Sequence, residues 1–186
     1  TLKYMRLIMV KTYDDFLSPS ACQKLYSALM NSVFRIGWGD SDELHHRQYP
    51  NLYSEYSLKE LKELEIIDPV LNILKNDNIT IDNYFRCRIN LTKPLDLNFI
   101  HVHPDQIVAL YYCNLTWSPE HGGETLFYSD DKKNIKLATP YTANRLLIFE
   151  GAIPHTIKAQ NLLGQAYRFT LSLFFWKNKT GGTNDK

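Results

Sequence analysis

The sequence predicts a mainly β protein in which helices near the N-terminus precede a barrel of short strands. Early residues carry helix-start signals with leucines at helical spacing, and after residue 83 the pattern changes to short apolar segments separated by turn residues. Eight such segments follow one another. A helical block followed by eight short strands is typical of a jelly-roll, or double-stranded β-helix, with helices on one face.

Helix starts are marked by residues that cap orphan backbone N–H groups. Ser18 is an expected N-cap with proline at the first helical position, Ser57 and Glu60 form a capping-box pattern, and Asp68 is expected to open a third helix. One strand is expected before the helices, over residues 4–10. The barrel strands are expected near 84–91, 99–103, 107–115, 124–128, 134–138, 144–149, 154–158 and 167–176.

Length and composition predict one domain over residues 1–176, with helical support at about 18–76 and the barrel at about 83–176. The polar, glycine-containing tail 177–186 is expected to be flexible. A net charge of +1 gives no electrostatic argument for a nucleic-acid or membrane partner. Three cysteines without a C-x-x-C pair favour reduced thiols and a cytoplasmic protein. Monomer and dimer both stay open.

A possible metal site begins at His103-Pro104-Asp105 and is completed by the distant His155. Side chains at i and i+2 of an extended segment point the same way, so His103 and Asp105 can bind one ion. Two histidines and a carboxylate suit non-heme Fe(II) with open coordination positions. His101 shares that strand face. A three-histidine set is therefore the alternative, and a supporting or substrate-facing role for His101 is another.

The stretch from Ile100 to Trp176 resembles the 2-oxoglutarate and Fe(II)-dependent dioxygenases, and among them the prolyl 4-hydroxylase-like branch. The opening segment from Tyr13 to Ser18 also resembles the start of that family's domain. The order and spacing of the motifs match the family. The resembling residues are His103-Pro104-Asp105, Leu110-Tyr111-Tyr112-Cys113-Asn114, Trp117, Gly122-Gly123-Glu124-Thr125, Asn144-Arg145-Leu146-Leu147-Ile148-Phe149, His155 and Arg168-Phe169-Thr170.

The resemblance implies a cupin-like barrel with Fe(II) held by His103, Asp105 and His155. Arg168 lies in an apolar strand, where a charge needs a partner, and a bidentate carboxylate supplies one. In the family this arginine holds the distal carboxylate of 2-oxoglutarate, a tyrosine at the place of Tyr112 donates to it, and Thr170 can add a hydroxyl.

The implied activity is oxidative decarboxylation of 2-oxoglutarate to succinate and CO2, coupled to hydroxylation by O2, with ascorbate among the expected cofactors. The expected substrate is a prolyl residue in a peptide or protein. The alternatives are a free amino acid or another small molecule, and, in a different class, a catalytically silent jelly-roll that binds a ligand. The aromatic-rich residues 36–56 are expected to form a loop at the active-site mouth.

Polar and apolar residues alternate along the first expected barrel strand, so that one face of it is polar. Arg86 and Arg88 lie on that polar face. They contact the co-substrate or an acidic group if the face looks into the barrel mouth, and they face solvent otherwise.

Overall fold

The computed structural model describes residues 10–38 and 46–177, and the expected tail beyond 177 lies outside this range. The helices are α1 (Pro19–Met30), α2 (Leu58–Glu63) and α3 (Ile67–Asn76), with short 3-10 turns at His46–Gln48 and Pro119–His121. The strands are β1 (Val10–Tyr13), β2 (Arg35–Trp38), β3 (Asn51–Ser54), β4 (Ile81–Thr92), β5 (Gln106–Tyr112), β6 (Thr125–Tyr128), β7 (Ile135–Thr139), β8 (Leu146–Glu150), β9 (His155–Ile157) and β10 (Arg168–Lys177).

Two antiparallel sheets face each other. The larger has the order β1-β8-β5-β10-β4-β3-β2, and the smaller has the order β7-β6-β9. After β5 the chain therefore crosses to the smaller sheet for β6 and β7, returns for β8, crosses again for β9 and returns for β10, which is the connectivity of a double-stranded β-helix. The expected fold class, mainly β with N-terminal helices and a jelly-roll barrel, is confirmed.

The larger sheet separates two apolar clusters because its side chains alternate between its faces. On β10, Leu171 and Leu173 pack with the buried leucines and isoleucines of the three helices. On the opposite face, Phe174 packs with Tyr112 and with Phe127 of the smaller sheet. The helices thus support the sheet from outside, and the space between the sheets is left for a site.

Two of the expected helix starts are confirmed. The Ser18 hydroxyl accepts the Ala21 N–H at 3.2 Å. Ser57 and Glu60 form a complete capping box. The third helix begins at Ile67, one residue before the expected start, and has no side-chain cap.

The residues expected to form a long loop at 36–56 contain β2 and β3 instead. Leu52 on β3 pairs with Leu91 on β4, so this segment extends the larger sheet. Residues 39–45 lie outside the described part of the chain. The expected strand at 99–103 is reduced to one bridge, between His101 and His155. The expected strand at 4–10 lies outside the described part, except for Val10, which opens β1.

The three cysteines are free thiols, and Cys87 and Cys113 are buried in the core. No helix among the described residues is both long and apolar enough to cross a membrane.

Candidate metal centre and anion pocket

Three histidines meet at the edge of the space between the sheets. His101, His103 and His155 offer ring nitrogens that all lie within 4.8 Å of one another. The ring centroids are 4.5 Å apart for His101 and His155, 5.0 Å for His101 and His103, and 5.3 Å for His103 and His155. Three imidazoles at these separations can bind one transition-metal ion.

Backbone contacts fix the segments that carry these rings. His101 and His155 exchange both backbone N–H···O bonds at 3.0 Å, which holds the segment before β5 against β9. The His103 N–H donates to the Gly151 carbonyl at 2.7 Å. A Cβ at Gly151 would lie 2.4 Å from the His103 carbonyl oxygen, so only glycine allows this close approach.

Hydrogen bonds to carbonyls set the tautomers of two rings. The Nδ1 atoms of His101 and His155 lie 2.9 Å from the Phe99 carbonyl and 2.7 Å from the Ile153 carbonyl. A carbonyl can only accept, so each Nδ1 carries the proton and donates. Each Nε2 then keeps its lone pair, which is the form in which histidine binds a metal.

Burial keeps His103 and His155 neutral. It lowers the pKa of His103 to about 3, with smaller contributions from His101 and from the Arg86 guanidinium. Burial also lowers the pKa of His155 well below its usual value, and the neighbouring His101 and His103 add to the effect. Both rings therefore offer lone pairs rather than protons at neutral pH.

Asp105, expected from the sequence to be the carboxylate ligand, does not join this group. It is exposed, its φ is +58°, and Pro104-Asp105 form a turn before β5. The rule that i and i+2 share a face therefore holds from His101 to His103 and fails beyond the turn. At this position the structure differs from the expected ligand set, because it brings His103 and His155 together with His101 rather than with Asp105.

Arg168, at the start of β10, is fully buried. Its Nε donates to the Gly123 carbonyl at 3.1 Å, and its Cζ lies 4.5 Å from the centre of the Tyr141 ring. Its Nη1 and Nη2 have no hydrogen-bond partner among the described residues. A buried guanidinium with unpaired donors is costly unless an anion occupies the space beside it.

Two further residues expected at this end of the pocket lie close together. Thr170 is opposite Tyr112 across the β10–β5 pair, and its hydroxyl has no partner among the described residues. The Tyr112 hydroxyl is 2.6 Å from that of Thr125. Burial raises the pKa of Tyr112 to about 12, so this phenol stays protonated and can donate.

Asn114 holds the start of β10 and was not expected from the sequence to have this role. Its Oδ1 accepts the Phe169 N–H at 2.9 Å, and its Nδ2 donates to the Tyr167 carbonyl at 2.9 Å. These two residues flank Arg168, so Asn114 fixes the backbone from which that side chain projects. In the sequence, Asn114 was marked only as the last residue of the resembling segment Leu110-Tyr111-Tyr112-Cys113-Asn114, without a role.

One cavity lies between these groups, and its lining includes His101, His103 and His155 together with Thr125 and Thr170. Arg168 lies next to this lining, because its Cζ is 5.6 Å from the centre of the Tyr112 ring, whose hydroxyl contacts Thr125. Asn51 of β3 lines the same cavity, so part of the segment 36–56 borders it.

The fold is a double-stranded β-helix, with a histidine cluster and a buried arginine beside one cavity. Comparisons with known proteins agree on this fold. No family model and no curated protein matches the sequence. Among solved structures, a prolyl-4-hydroxylase from Pseudomonas putida has a TM-score of 0.66 at 15% identity, covering 92% of this chain and 94% of that chain.

Two further structures have the same fold. A prolyl hydroxylase from Trichoplax adhaerens, in complex with a hypoxia inducible factor peptide, has a TM-score of 0.65 at 17% identity, covering 91% of this chain and 84% of that one. A non-heme alpha ketoglutarate dependent epimerase from nogalamycin biosynthesis has a TM-score of 0.68 at 10% identity, covering 91% and 77%. The resemblance seen in the sequence is thus confirmed for the fold.

Proposed function

We propose that the protein is an Fe(II)- and 2-oxoglutarate-dependent oxygenase that hydroxylates its substrate. One observation carries the proposal: the cavity lined by the three histidines and Thr170 lies beside the buried Arg168, whose Nη1 and Nη2 have no hydrogen-bond partner among the described residues. A small dicarboxylate with a keto group suits such a site, because one carboxylate with the keto oxygen can bind a metal while the other can bind a guanidinium.

The donor set fits a divalent transition metal. Burial lowers the pKa of His103 and of His155 and keeps both rings neutral, and hydrogen bonds from Nδ1 leave the Nε2 atoms of His101 and His155 as the metal-facing donors. Imidazole suits iron as well as zinc, copper and nickel, and three protein ligands leave positions for exogenous ligands. We propose these three histidines as the ligands, with His101 in the position for which Asp105 was expected.

The distal carboxylate of the co-substrate would bind beside Arg168. Arg168 would hold the distal carboxylate of 2-oxoglutarate through Nη1 and Nη2, and Thr170 would donate its hydroxyl to the same group. Tyr112 would contribute through its hydroxyl, which shares a hydrogen bond with Thr125. A bidentate arginine–carboxylate pair in a buried site is strong and directional.

When bound, Fe(II) with 2-oxoglutarate and O2 supplies the oxidation, in which the keto acid is converted to succinate and CO2 and the substrate is hydroxylated. The chain orients the reactants. Gly151 and the His101–His155 bridge hold the histidines in place, and Asn114 holds Arg168. The buried aromatic side chains between the two sheets exclude bulk water.

A prolyl residue in a peptide is the substrate we propose, supported by two of the similar solved structures, which are prolyl hydroxylases. A free amino acid or another small molecule is the alternative. The third neighbour is named an epimerase, so products must be identified by mass as well as by succinate formation.

The test is succinate and CO2 formation by protein reconstituted with Fe(II), supplied with 2-oxoglutarate, O2 and ascorbate, and offered proline-containing peptides and free amino acids. We expect succinate that depends on metal and increases with the correct substrate, together with a product 16 Da heavier, which is the mass of one added oxygen atom. His155→Ala is the inactive control. Keto-acid binding without succinate from any substrate would favour a silent binding module and contradict the proposal.

A further inference from the structure

The cavity that holds the histidine cluster has no acidic lining. Its lining residues within the described part of the chain include three histidines and Arg88, but no aspartate or glutamate. Negative charge inside this cavity must therefore come from the ligands that bind in it. Because ions in a cavity with little water interact strongly, that charge must be close to balanced when the site is full.

Arg88 lies on β4 opposite Ser172 of β10, and its side chain is 7% exposed. Its Cζ is 4.3 Å from the centre of the Tyr53 ring. Its Nη2 is 3.3 Å from the carboxylate of Glu55, whose side chain is 47% exposed. The guanidinium thus lies on the β3 side of the cavity, where a half-exposed carboxylate already contacts it.

The positive charges exceed the negative ones when the proposed co-substrate is bound. A divalent metal and Arg168 together carry three positive charges, and 2-oxoglutarate carries two negative ones. Arg88 and Glu55 offset each other, and so do Lys158 and Glu124. The Arg86 guanidinium, which acts on His103, adds to the positive side. A carboxylate ligand such as the expected Asp105 would reduce this excess of positive charge, but three imidazoles, which bind a metal in their neutral form, do not.

We propose that the primary substrate carries an acidic group, a carboxylate or a phosphate, that binds Arg88 and takes the place of the Glu55 carboxylate. The substrate then supplies the negative charge that the ligand set lacks. Arg88 is suited to this role because its planar fork binds an oxyanion through two parallel hydrogen bonds while the Tyr53 ring supports its face. This inference rests on the proposed function of the same site.

The test measures binding rather than turnover. Protein loaded with Ni(II) and saturated with 2-oxoglutarate is titrated by calorimetry with matched probes that differ in charge. One series pairs N-acetyl amino acids, including N-acetylproline, with their carboxamides, and another pairs O-phosphoserine with serine. We expect at least one acid to bind tenfold or more tightly than its neutral partner, and the two series distinguish carboxylate from phosphate.

Three variants separate recognition from simple structural support. Arg88→Met is expected to reduce the acid-to-neutral ratio to near one while 2-oxoglutarate still binds. Glu55→Gln is expected to strengthen acid binding, because a competing carboxylate is removed. A purely structural Arg88–Glu55 pair would not give that gain. Lys136→Met removes a cation from an exposed position on β7 and should change nothing.

The outcomes distinguish this inference from the proposed function. If no acid in either series binds more tightly than its neutral partner, or if the preference survives in Arg88→Met, the inference is wrong while 2-oxoglutarate binding still supports the oxygenase. If the Ni(II)-loaded protein does not bind 2-oxoglutarate, the proposed function itself fails.

Discussion

At the scale of single residues, the turn at Pro104-Asp105 decides which side chains can form a metal site. The motif His103-Pro104-Asp105 contains a histidine and a carboxylate at the expected spacing, but the positive φ of Asp105 moves its side chain away from the group. His101 is on the extended side of the turn, and its ring nitrogens lie near those of His103 and His155. The alternation rule identified both His101 and Asp105 as candidates, and the backbone conformation favours His101.

Arg168 could be predicted as a functional residue because a charge in an apolar strand has few structural explanations. Arg168→Ala should raise the dissociation constant of 2-oxoglutarate well over tenfold, since truncating one partner of a buried charged pair costs on the order of 2–5 kcal/mol. Arg168→Lys should recover only part of the loss, because one ammonium cannot reproduce the two-point contact. Calorimetry on the Ni(II)-loaded protein measures both.

The control for Arg168 is metal affinity, which should be unchanged in both variants because Arg168 is not one of the three histidines proposed as ligands. Unaltered 2-oxoglutarate binding by Arg168→Ala would mean that the keto acid is held elsewhere.

Gly151 has a role that composition and motif could not reveal. A methyl group there would lie 2.4 Å from the His103 carbonyl oxygen and 2.8 Å from the His103 Cβ, so the backbone carrying this ligand must move. Gly151→Ala should therefore weaken metal binding about tenfold or more, since ligand placement tolerates about 0.5 Å. Gly164→Ala, whose nearest neighbour would lie at 3.2 Å in a distant loop, is the control. Equal metal affinity in the two variants would contradict this role.

At the scale of elements, the strand pattern and helix starts were predictable because they depend on local chemistry. The N-cap at Ser18 and the capping box at Ser57 need only a few neighbouring residues. The strands β2 and β3 were missed because β3 pairs with β4, whose residues are far away in sequence, and β2 joins the sheet only through β3. Their aromatic and polar composition resembles that of a loop, and tertiary pairing outweighed that local signal.

Asn114 holds the start of β10, the strand from which Arg168 projects. Asn114→Ala would leave the Phe169 N–H and the Tyr167 carbonyl without these partners, at a cost of about 1–3 kcal/mol for the buried Phe169 N–H. We expect a lower free energy of unfolding in urea and, because Arg168 lies between the two groups, weaker 2-oxoglutarate binding.

The matched control for Asn114 is Ser57→Ala. It removes the cap of α2 and should lower stability by about 1 kcal/mol while leaving 2-oxoglutarate affinity unchanged. If both variants lose stability and neither loses affinity, Asn114 supports the fold without orienting Arg168.

At the scale of the whole molecule, the buried histidines link stability to pH. Burial depresses the pKa of His103 and His155 in the folded state, so below the unfolded value of about 6.5 the unfolded chain binds protons that the folded chain does not. The metal-free protein should therefore lose stability as pH falls from about 6.5, by at most about 1.4 kcal/mol per pH unit for each histidine. Above that pH these groups add no dependence.

Urea unfolding of the metal-free protein at pH 7.5 and pH 5.5 measures this dependence. In His155→Asn the dependence should be smaller, because one of the two proton-binding groups is lost from the unfolded chain. If the free energy of unfolding falls equally in the parent and in the variant between pH 7.5 and pH 5.5, groups other than His155 control the loss of stability at low pH.

The central claim is that His101, His103 and His155 hold the metal to which 2-oxoglutarate binds. The most direct measurement is the visible charge-transfer absorption that develops when Fe(II) and 2-oxoglutarate are added without oxygen to the parent protein, His101→Ala and Asp105→Ala. We expect the charge-transfer absorption band in the parent protein and in Asp105→Ala, and we expect its loss in His101→Ala. A band that persists in His101→Ala and disappears in Asp105→Ala would contradict the three-histidine site.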